Sequence, residues 1–520
     1  MNGRHNIPER IPRTPILFGT DGWRAVIAHE FTFANLERVA QAYADFLNQA
    51  HAEAQQQHTQ ARRADEQAKR AGEPTKRADE EAKRTHNATE RPHAIVGHDR
   101  RFLSEKFAAR AAEVLAGNDI SVALFDTDVP TPLVSWAVRE RGAAGGVVIT
   151  ASHNPAEFNG FKIKAPWGGS ATRETTAAVE ALVDANPPRR TDLPEAARGG
   201  LEDAIESYRA QVAAYVDLER LRAARVRVVV DPMHGSGGRW VESFLRGGAL
   251  EVETIRAERD TQFGGVNPEP IERNLAPLRE RVSACGALVG LATDGDADRV
   301  GAVNEAGETM TMHEVVPLLL LHLARRRGMT GGVVRTFSQS VLTKRIAAAH
   351  DLKLYETPIG FKYVADLMLR EDILVGAEES GGVGVKGHIP ERDGILNSLL
   401  FLEAVVASGK SPAEMVKEMH REFGEFYFGR RDLHMEVARG LNFVETLTLS
   451  PPPSVAGHTV ESFSHLDGIK LVFADESWLL FRQSGTEPVL RIYSEATSVA
   501  RMNELLDAGS ALALKAEHRD

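Results

Sequence analysis

Residues 150–155 form the hexapeptide TASHNP, which directly follows a run of small and β-branched residues, GGVVI. Such a run is typical of a short buried strand, and Pro155 ends the regular structure that follows it. The pattern predicts that Ser152 is presented on a loop at the carboxyl end of a strand, where open α/β sheets bind their ligands. Ser, Asn and Pro are also ordinary turn residues, so the hexapeptide taken alone leaves a plain turn open.

A second group of residues with chemical potential lies in LATDGDADR, residues 291–299. Asp294, Asp296 and Asp298 alternate directly after an apolar strand, and three crowded carboxylates repel one another unless a cation holds them. Hard oxygen ligands suit Mg²⁺ or Ca²⁺. The spacing imitates an EF-hand loop, but Arg299 stands where that loop needs glycine, and a strand precedes it where a helix should be. We therefore expect a metal site at a strand end, with a solvated acidic turn as the alternative.

Two further stretches could bind a phosphorylated sugar. RQSGTEPVLR has a Ser-Gly-Thr turn flanked by Arg482 and Arg491. Exposed backbone N–H groups with a bidentate guanidinium make a phosphate cradle, although a plain hairpin turn would look the same. GAEESGG, residues 376–382, ends a strand with two adjacent carboxylates that suit sugar hydroxyls, although a charged surface loop would also fit.

Weaker signals surround these motifs. Arg24 in GTDGWR and Lys362 in GFK each place a cation beside glycine. DPMHGSGG at 231–238 lacks the ending of a Walker loop and the spacing of a dinucleotide loop, so we interpret it as structural. We interpret His153 and His234 as hydrogen-bonded structural histidines, with a ligand or base role as the alternative.

The elements that must position these motifs alternate in a regular way. Strand-like runs such as AIVGHD, SVALFD and GVVITAS are separated by helical runs, and the pattern returns at 226–294 and again at 333–379. Strand, helix and strand at these intervals predict α/β units with mostly parallel or mixed sheets. Three such blocks predict three similar domains. The tail has four strands close together followed by one helix at 498–516, which indicates an α+β module.

Residues 51–92 stand apart from this alternation. RRADEQAKR and KRADEEAKR repeat within them, and their residues favour helix but leave almost no apolar stripe to bury. We interpret the segment as a solvated helical or disordered insertion, with an interaction arm as the alternative.

Length and charge limit the function classes. At 520 residues the chain is too long for one core, so several domains are expected. The net charge of −11 disfavours nonspecific binding to nucleic acid or anionic membranes. The single cysteine, Cys285, indicates a reducing compartment, and we predict a cytoplasmic protein. The start lacks the apolar core of a signal peptide, and the most apolar stretch, 315–324, is too short to span a bilayer.

Together the motifs supply a loop serine, a carboxylate-bound divalent cation, a phosphate cradle and carboxylates suited to hydroxyls. A Ser-His-Asp hydrolase needs no metal, and the sequence has no G-x-S-x-G elbow. It has no protein kinase signature set either. A serine beside a divalent cation and separate phosphate ligands indicates phosphoryl transfer through a phosphoserine.

TASHNP, DGDADR, GAEESGG and RQSGTEP, in this order and at these wide spacings, resemble the α-D-phosphohexomutase superfamily of phosphoglucomutases and phosphomannomutases. The match covers nearly the whole chain apart from residues 51–92. It implies a heart-shaped monomer of three similar α/β domains with mixed sheets and a C-terminal α+β domain of the TBP-like kind. The expected domains are residues 1–200, 201–303, 304–424 and 425–520.

The resemblance also implies a reaction and a set of site residues. Ser152 would carry a phosphoryl group, give it to a hexose phosphate and regain one from the hexose 1,6-bisphosphate, which also serves as primer. Mg²⁺ would be held by Asp294, Asp296, Asp298 and the phosphoserine oxygen of Ser152. The remaining implied residues are Glu378 and Ser380 for the sugar hydroxyls, Lys362 for the substrate, Arg482, Ser484, Gly485, Thr486 and Arg491 for the distal phosphate, and Arg24, Arg299 and Lys162 around the reaction centre.

The resemblance also bears on the acid/base groups of the reaction. Lys162 is the candidate proton carrier, a role that requires a lowered pKa, which neighbouring cations could supply. Some relatives carry His after the Ser-Gly of the sugar loop, where this chain has Gly382, so the second acid/base group is left open.

The stretches NGFKIK and GAEESGG look more like those of phosphoglucomutases than of phosphoglucosamine mutases. We therefore expect glucose 1-phosphate and glucose 6-phosphate as the preferred pair, with a phosphomannomutase or a bifunctional enzyme as the alternative. A metal-dependent sugar phosphatase and a noncatalytic sugar-phosphate binder are the competing classes. We expect neither a nucleic acid nor a membrane partner, and the sequence leaves monomer and dimer open.

Overall fold

Four β-sheets follow one another along the chain, and each is built from one continuous stretch of sequence. The computed structural model describes residues 14–19, 22–71, 91–484 and 488–517. Within these ranges the first three sheets mix parallel and antiparallel strands and carry helices, whereas the fourth is antiparallel throughout. The predicted fold class, three similar α/β domains followed by an α+β domain, is confirmed.

The first sheet has the strand order β1-β5-β4-β2-β3. Strands β2, β3 and β4 are parallel to one another, and β5 runs antiparallel to both of its neighbours, β4 and β1. Its strands are β1 (Gly22–Val26), β2 (His93–His98), β3 (Ser121–Leu124), β4 (Gly145–Ile149) and β5 (Phe158–Lys164). Its helices are α1 (Phe33–Ala71), α2 (Ser104–Gly117), α3 (Thr131–Glu140) and α4 (Arg173–Ala181).

The second sheet has the order β10-β9-β8-β6-β7. Its strands are β6 (Arg227–Asp231), β7 (Glu251–Thr254), β8 (Val289–Thr293), β9 (Val300–Val303) and β10 (Thr309–Met310). Its helices are α5 (Glu202–Tyr215), α6 (Leu218–Ala223), α7 (Trp240–Leu245) and α8 (Ala276–Cys285), with single 3₁₀ turns at Glu195–Ala197, Phe263–Gly265 and Glu272–Asn274.

The third sheet has the order β12-β11-β13-β14. Its strands are β11 (Gly332–Thr336), β12 (Leu354–Thr357), β13 (Ile373–Ala377) and β14 (Val383–Val385). Its helices are α9 (Met312–Leu321), which continues into a π-helical turn at His322–Arg326, α10 (Val341–Ala349), α11 (Phe361–Arg370), α12 (Gly394–Ser408) and α13 (Pro412–Phe423).

The fourth sheet has the order β15-β20-β19-β18-β17-β16. Its strands are β15 (Tyr427–His434), β16 (Ser454–Val455), β17 (His458–Ser464), β18 (Ile469–Phe473), β19 (Trp478–Gln483) and β20 (Val489–Ala496). Helices α14 (Val437–Leu449) and α15 (Val499–Glu517) pack on this sheet.

One arrangement recurs in the first three domains and places the motifs. A loop joins a central parallel strand to the antiparallel strand beside it: β4 to β5, β8 to β9, and β13 to β14. We name these the serine loop (150–157), the metal loop (294–299) and the sugar loop (378–382). Every residue of β4, β8 and β13 is buried, which explains why these strands are apolar or small on both faces.

Helix ends follow the capping chemistry of their sequences. Thr311 and Ser411 each form a capping box with the glutamate three residues later, at α9 and α13. Asp393 caps α12 by accepting a hydrogen bond from the Leu396 N–H at 2.9 Å.

One apolar cluster joins the four domains, and smaller clusters lie within single domains. The largest cluster of buried apolar side chains includes Leu133 of the first domain, Leu291 of the second, Leu399 of the third and Trp478 of the fourth. No helix in the described ranges has the length and apolarity that crossing a membrane requires.

Residues 51–71 of the charged insertion continue α1 beyond its buried part. Leu47 is buried, whereas the side chains of residues 52–57 are exposed. Residues 72–90 of the insertion lie outside the described residues.

Candidate active site

The serine loop holds Ser152 in a buried position against the metal loop. Its side chain hydroxyl donates a hydrogen bond to Asp294 Oδ2 at 2.9 Å, and its backbone N–H donates to Thr150 Oγ1 at 2.9 Å. The φ angle of Ser152 is +52°, in the left-handed region that a residue with a side chain rarely adopts. Such a conformation persists only when surrounding contacts enforce it, and it is common at functional sites.

Gly295 permits the close approach of the two loops. A Cβ atom at this position would lie 2.5 Å from the Ser152 carbonyl oxygen. Any side chain here would therefore push the metal loop away from Ser152.

Asp294, Asp296 and Asp298, here called the Asp triad, are fully buried, and each offers an oxygen within 4.8 Å of the others. Burial, reinforced by Asp296 and Asp298, raises the pKa of Asp294 well above its usual range. Burial would also raise the pKa of Asp298, but Arg392 and Lys162 outweigh it and hold that pKa well below its usual range.

The donor set fits a hard divalent cation. Oδ1 of Asp296 and Oδ1 of Asp298 are buried and have no hydrogen-bond partner among the described residues. A buried carboxylate oxygen without a partner is costly, and a cation would remove that cost. All three ligands are carboxylates, which suit hard cations such as Mg²⁺ or Ca²⁺ rather than soft metals that prefer thiolate ligands.

Three cations border the triad and the serine loop. Lys162, on β5, donates to Asp298 Oδ2 at 2.7 Å and to Asp296 Oδ2 at 3.2 Å. The resemblance places Lys162 among cations, and the structure pairs its amine with two carboxylates. Arg24, on β1, donates to Asn154 Oδ1 of the serine loop at 2.8 Å.

The third cation, Arg299, ends the metal loop. Its backbone N–H donates to Asp294 Oδ1 at 3.0 Å, and its guanidinium lies 4.0 Å from Asp298 and from Glu269. Burial, Arg299 and Arg24 lower the pKa of His153, the residue after Ser152, well below its usual range.

The sugar loop touches the metal loop directly. The Val300 N–H donates to the Gly381 carbonyl at 3.0 Å, and Arg299 forms a single β-bridge with Gly382. Burial raises the pKa of Glu378 to about 7, against the opposing effect of Arg392 and Arg299. Ser380 lies at the partly exposed turn of the same loop.

Packing around Gly382 leaves no room for a side chain at this position. A Cβ atom at 382 would lie 2.4 Å from Arg392 Cδ and 2.8 Å from Glu378 Oε2. The Arg392 side chain therefore fills the space that a larger residue would need, and its guanidinium lies 3.0 Å from Asp298.

The fourth domain carries a basic sheet face. Arg482 on β19 and Arg491 on β20 are directly cross-strand neighbours. Arg482 donates to Asp467 Oδ2 at 3.0 Å. Burial would lower the pKa of Arg482, but Asp467, with a further contribution from Glu379 of the third domain, raises it. Arg482 of the basic face therefore interacts electrostatically with Glu379 of the sugar loop.

The other predicted substrate ligands are spread along the third and fourth domains. Ser484 is buried at the end of β19, and its N–H donates to the Val489 carbonyl at 3.0 Å. Lys362 lies in the first turn of α11, with its amine 5.1 Å from the centre of the Tyr363 ring. Gly485 and Thr486 lie outside the described residues.

Sequence reasoning missed three residues that hold this centre. Thr131, at the start of α3, donates to Asp296 Oδ2 at 2.7 Å. Arg392 reaches Asp298 as described above, and Arg101 binds the serine loop from beneath. Arg101 follows β2 in GHDRR, and Arg392 lies in ERDG. In both stretches an arginine lies close to an aspartate, and this pairing was the signal that could have pointed to them.

Comparison with known proteins agrees with this geometry. Four family models match, described as phosphoglucomutase/phosphomannomutase alpha/beta/alpha domain I at residues 78–190, domain II at 206–307, domain III at 312–423 and the C-terminal domain at 455–510. The chain belongs to the phosphoglucomutase/phosphomannomutase family. Members of this family are phosphotransferase mutases, so the chain is an enzyme of this class.

The relatives of this phosphohexomutase carry several substrate names. A phosphoglucomutase/phosphomannomutase of Thermococcus kodakarensis is 34% identical over 80% of this chain and 88% of its own length. A phosphoglucosamine mutase of Streptomyces griseus is 31% identical over 78% of this chain and 86% of its own. A phosphoglucomutase of Komagataeibacter xylinus is 28% identical over 82% and 85%.

Solved structures share the whole architecture. A crystal structure from Thermus thermophilus, assigned by name to the phosphomannomutases, is 35% identical and covers 96% of this chain and all of its own, with a TM-score of 0.80. The open form of parafusin from Paramecium is 20% identical, covers 96% of this chain and 95% of its own, and has a TM-score of 0.74, which supports the fold.

Proposed function

We propose that this phosphohexomutase interconverts a hexose 1-phosphate and a hexose 6-phosphate, with glucose preferred, through a phosphorylated Ser152. The observation that carries the proposal is the buried Ser152 hydroxyl, 2.9 Å from a carboxylate of the Asp triad and bordered by Arg24 and Arg299. A nucleophile enclosed by a cation site and fixed positive charges suits the transfer of a dianionic phosphoryl group.

The first transfer starts from the phosphorylated enzyme. The O6 hydroxyl of a hexose 1-phosphate attacks the phosphorus, the bond between phosphorus and Ser152 Oγ breaks, and a hexose 1,6-bisphosphate forms. The O6 proton leaves to a base, for which Lys162 is the proposed carrier; because its amine donates to Asp296 and Asp298, it accepts the O6 proton only after it has passed one of its own protons on. After the bisphosphate turns over, Ser152 Oγ attacks the phosphoryl group at C1 and the bond between phosphorus and O1 breaks. O1 takes up the proton that O6 released, and a hexose 6-phosphate leaves with the serine phosphorylated again.

Asp294, Asp296, Asp298 and the phosphoserine oxygen of Ser152 would hold Mg²⁺. Bound there, the ion supplies Lewis-acid stabilisation of the charge that develops on the transferring group. Thr131 and Lys162 orient the carboxylates by hydrogen bonds to Asp296. The hexose 1,6-bisphosphate is the proposed primer, because it can phosphorylate an enzyme whose serine is free.

The same residues must bind the substrate in two orientations. The phosphate that does not react is proposed to be held by Arg482, Ser484, Gly485, Thr486 and Arg491. Glu378 and Ser380 are proposed to bind the ring hydroxyls, and Lys362 is a further proposed substrate ligand. Glu379 interacts electrostatically with Arg482, which supports a shared cleft between the sugar loop and the basic face. A distal phosphate at the basic face would then leave the other end of the sugar near Ser152.

Burial favours a mutase over a phosphatase. Ser152 is 1% exposed and the Asp triad is not exposed at all. A mutase must keep water from its phosphoserine and its bisphosphate until transfer is complete, and enclosure serves that purpose.

The preference for glucose is the finer part of the proposal. Two adjacent carboxylates, Glu378 and Glu379, offer acceptors for equatorial hydroxyls. Mannose differs from glucose at one hydroxyl, and a site discriminates strongly at that position only if it must hydrogen-bond that group. We therefore expect measurable activity with mannose phosphate as well. The cytoplasmic location belongs to the proposal too, because the single cysteine suits a reducing compartment.

A coupled mutase assay tests the proposal. The 1-phosphates of glucose, mannose and glucosamine are compared at equal enzyme concentration, with and without the matching 1,6-bisphosphate. We expect primer-dependent turnover and the highest kcat/KM for glucose 1-phosphate. A tenfold preference for mannose 1-phosphate would make the enzyme a phosphomannomutase, and activity confined to glucosamine 1-phosphate would overturn the substrate choice. Release of inorganic phosphate without isomerisation would indicate a phosphatase.

A further inference from the structure

Arg101 is a fully buried cation directly beneath the serine loop. It follows β2, and its side chain has no exposed surface. Its guanidinium donates to the carbonyl oxygens of Ser152 (2.7 Å), Asn154 (2.6 Å), Pro155 (2.6 Å) and Phe158 (3.0 Å), and to Asp99 Oδ2 at 3.2 Å. One side chain thus ties down four carbonyl groups between Ser152 and the start of β5.

Arg101 is also connected to the Ser152 backbone N–H through hydrogen bonds of Asp99 and Thr150. Asp99 Oδ2, which accepts from Arg101, also accepts from Thr150 Oγ1 at 2.7 Å. Thr150 Oγ1 in turn accepts from the Ser152 N–H. The N–H and the carbonyl of Ser152 are therefore fixed from the same buried ion pair.

This double attachment matches the strained conformation of Ser152. The left-handed φ of +52° costs free energy in a residue with a side chain and needs contacts that enforce it. In the enforced conformation the hydroxyl is aimed at Asp294. Loosening either attachment would let the serine relax and would move its hydroxyl relative to the Asp triad.

The second domain closes over the arginine. The Phe263 ring lies 5.0 Å from the centre of the guanidinium, and the Arg259 guanidinium donates to the Arg101 carbonyl at 3.1 Å. The second domain, which also carries the metal loop, therefore covers the arginine that holds the serine loop.

We infer that Arg101 is a positioning residue for phosphoryl transfer, which holds the Ser152 hydroxyl in register with the Asp triad; the inference rests on the proposed function. The geometry needs arginine. A guanidinium offers five donors in a planar fork, whereas a lysine ammonium offers three from one point and cannot span carbonyls this far apart.

Lysine at this position keeps the charge and the ion pair with Asp99 but loses most of the fork. Arg100 provides the matched control, because it is also an arginine at this domain boundary and donates to Asp128 and to the Ala257 carbonyl, away from the serine loop. A purely structural role for Arg101 predicts that both substitutions act through stability alone.

The test compares Arg101→Lys with Arg100→Lys in the full chain. Circular dichroism gives the melting temperature, a single-turnover experiment with glucose 1,6-bisphosphate gives the rate at which Ser152 is phosphorylated, and the mutase assay gives kcat and KM, all well below the melting temperature. A displacement of about 1 Å can cost about a hundredfold in rate. We expect Arg101→Lys to lower both the phosphorylation rate and kcat about a hundredfold while KM stays within about threefold, and Arg100→Lys to leave all three near the parent values.

Parental rates in Arg101→Lys, or equal losses in both variants, would overturn the inference. If Arg101→Lys does not fold, Arg101→Gln is measured in the same way, and failure of both to fold would also overturn it by assigning Arg101 to folding. A parent enzyme that isomerises no hexose phosphate would instead refute the proposed function, which the same assay reports separately.

Discussion

The Ser152 hydroxyl donates a hydrogen bond of 2.9 Å to Asp294 although the two residues are 142 positions apart in the chain. Each stands at the end of a buried strand, β4 and β8, in consecutive domains of similar construction. The contact joins the proposed nucleophile to the proposed metal site. The proposed nucleophile lies in the first domain and the proposed metal site in the second. The geometry of the active site therefore depends on how these two domains pack against each other.

Ser152→Ala is expected to abolish turnover, since no other hydroxyl among the described residues donates to Asp294 from this position. The melting temperature should stay nearly unchanged, because only the hydrogen bond to Asp294 and the longer contact with His153 Nδ1 are lost. Incubation of the parent with glucose 1,6-bisphosphate followed by phosphopeptide mapping checks the assignment. Phosphate found on Thr150, with Ser152→Ala fully active, would contradict it.

Asp296→Asn is expected to weaken Mg²⁺ binding and to lower kcat by orders of magnitude, because the stabilisation of the transferring group depends on the metal. Glu305→Gln is the matched control, since Glu305 lies beyond β9 and outside the triad. Calorimetric titration with Mg²⁺ and the mutase assay measure both effects. Full activity of Asp296→Asn in excess chelator would refute the metal site.

Sequence reasoning predicted the candidate site from motifs that directly follow apolar strands. The serine, metal and sugar loops each follow an apolar strand at once, so the position of Ser152 or Asp294 on its element is a local property. The strands β1 and β5 were missed because charged residues interrupt their short apolar runs, Arg24 in β1 and Lys162 in β5. β5 carries Lys162 and Lys164 in buried positions, where Lys164 pairs with Glu391 at 2.7 Å.

The supporting residues were missed for a different reason. Thr131 reaches a carboxylate 165 residues away, and Arg101 reaches carbonyls about fifty residues away. No spacing rule connects such pairs, because their contact depends on how whole domains or distant strands pack. The role of Gly382 is of the same kind, since only the packed structure brings Arg392 into the space beside it.

Arg482→Ala is expected to weaken capture of the distal phosphate. A charge-assisted contact contributes about 1.5–3 kcal/mol, which corresponds to roughly a tenfold to hundredfold rise in KM. Arg431→Ala is the control, because Arg431 lies on β15, two strands from β19 in the same sheet, and pairs with Asp507 on the helix side of the sheet. Equal loss of affinity for phosphate-free glucose would show that Arg482 does not act on phosphate.

Replacement of residues 52–90 by a short Gly-Ser linker is expected to leave turnover within a few-fold of the parent. The described part of this segment, residues 52–71, is helical with exposed side chains at 52–57, and none of the active-site loops lies in it. The mutase assay and the melting temperature measure the outcome. Loss of folding would show that the segment packs on the rest of the protein after all.

Glu378→Gln is expected to change stability in a pH-dependent way. The carboxyl has a pKa of about 7 in the folded protein against an ordinary 4.5, because burial disfavours its charged form. The folded state therefore holds a proton that the unfolded state has lost between these two values. Stability from the protonated carboxyl is complete below about pH 4.5 and is lost as the pH rises to about 7.

Glutamine has no proton to lose, so Glu378→Gln should gain stability over the parent as the pH rises. At about 1.4 kcal/mol per unit, the gain between pH 4.5 and pH 8 is at most about 3 kcal/mol. Glu379→Gln is the control, because that side chain is only partly buried in the same loop. Urea unfolding of the three proteins at several pH values measures the difference, and a gain that does not depend on pH would contradict the raised pKa.

The same titration should govern substrate binding in the parent. An ionised Glu378 accepts hydrogen bonds from sugar hydroxyls with both oxygens, whereas the protonated form keeps one oxygen as a donor. We therefore expect the KM for glucose 1-phosphate to rise as the pH falls below about 7, by up to about tenfold per unit if the charged form alone binds. In Glu378→Gln the KM should be high and should lose this dependence. A parental pH profile that survives in Glu378→Gln would assign the titration to another group.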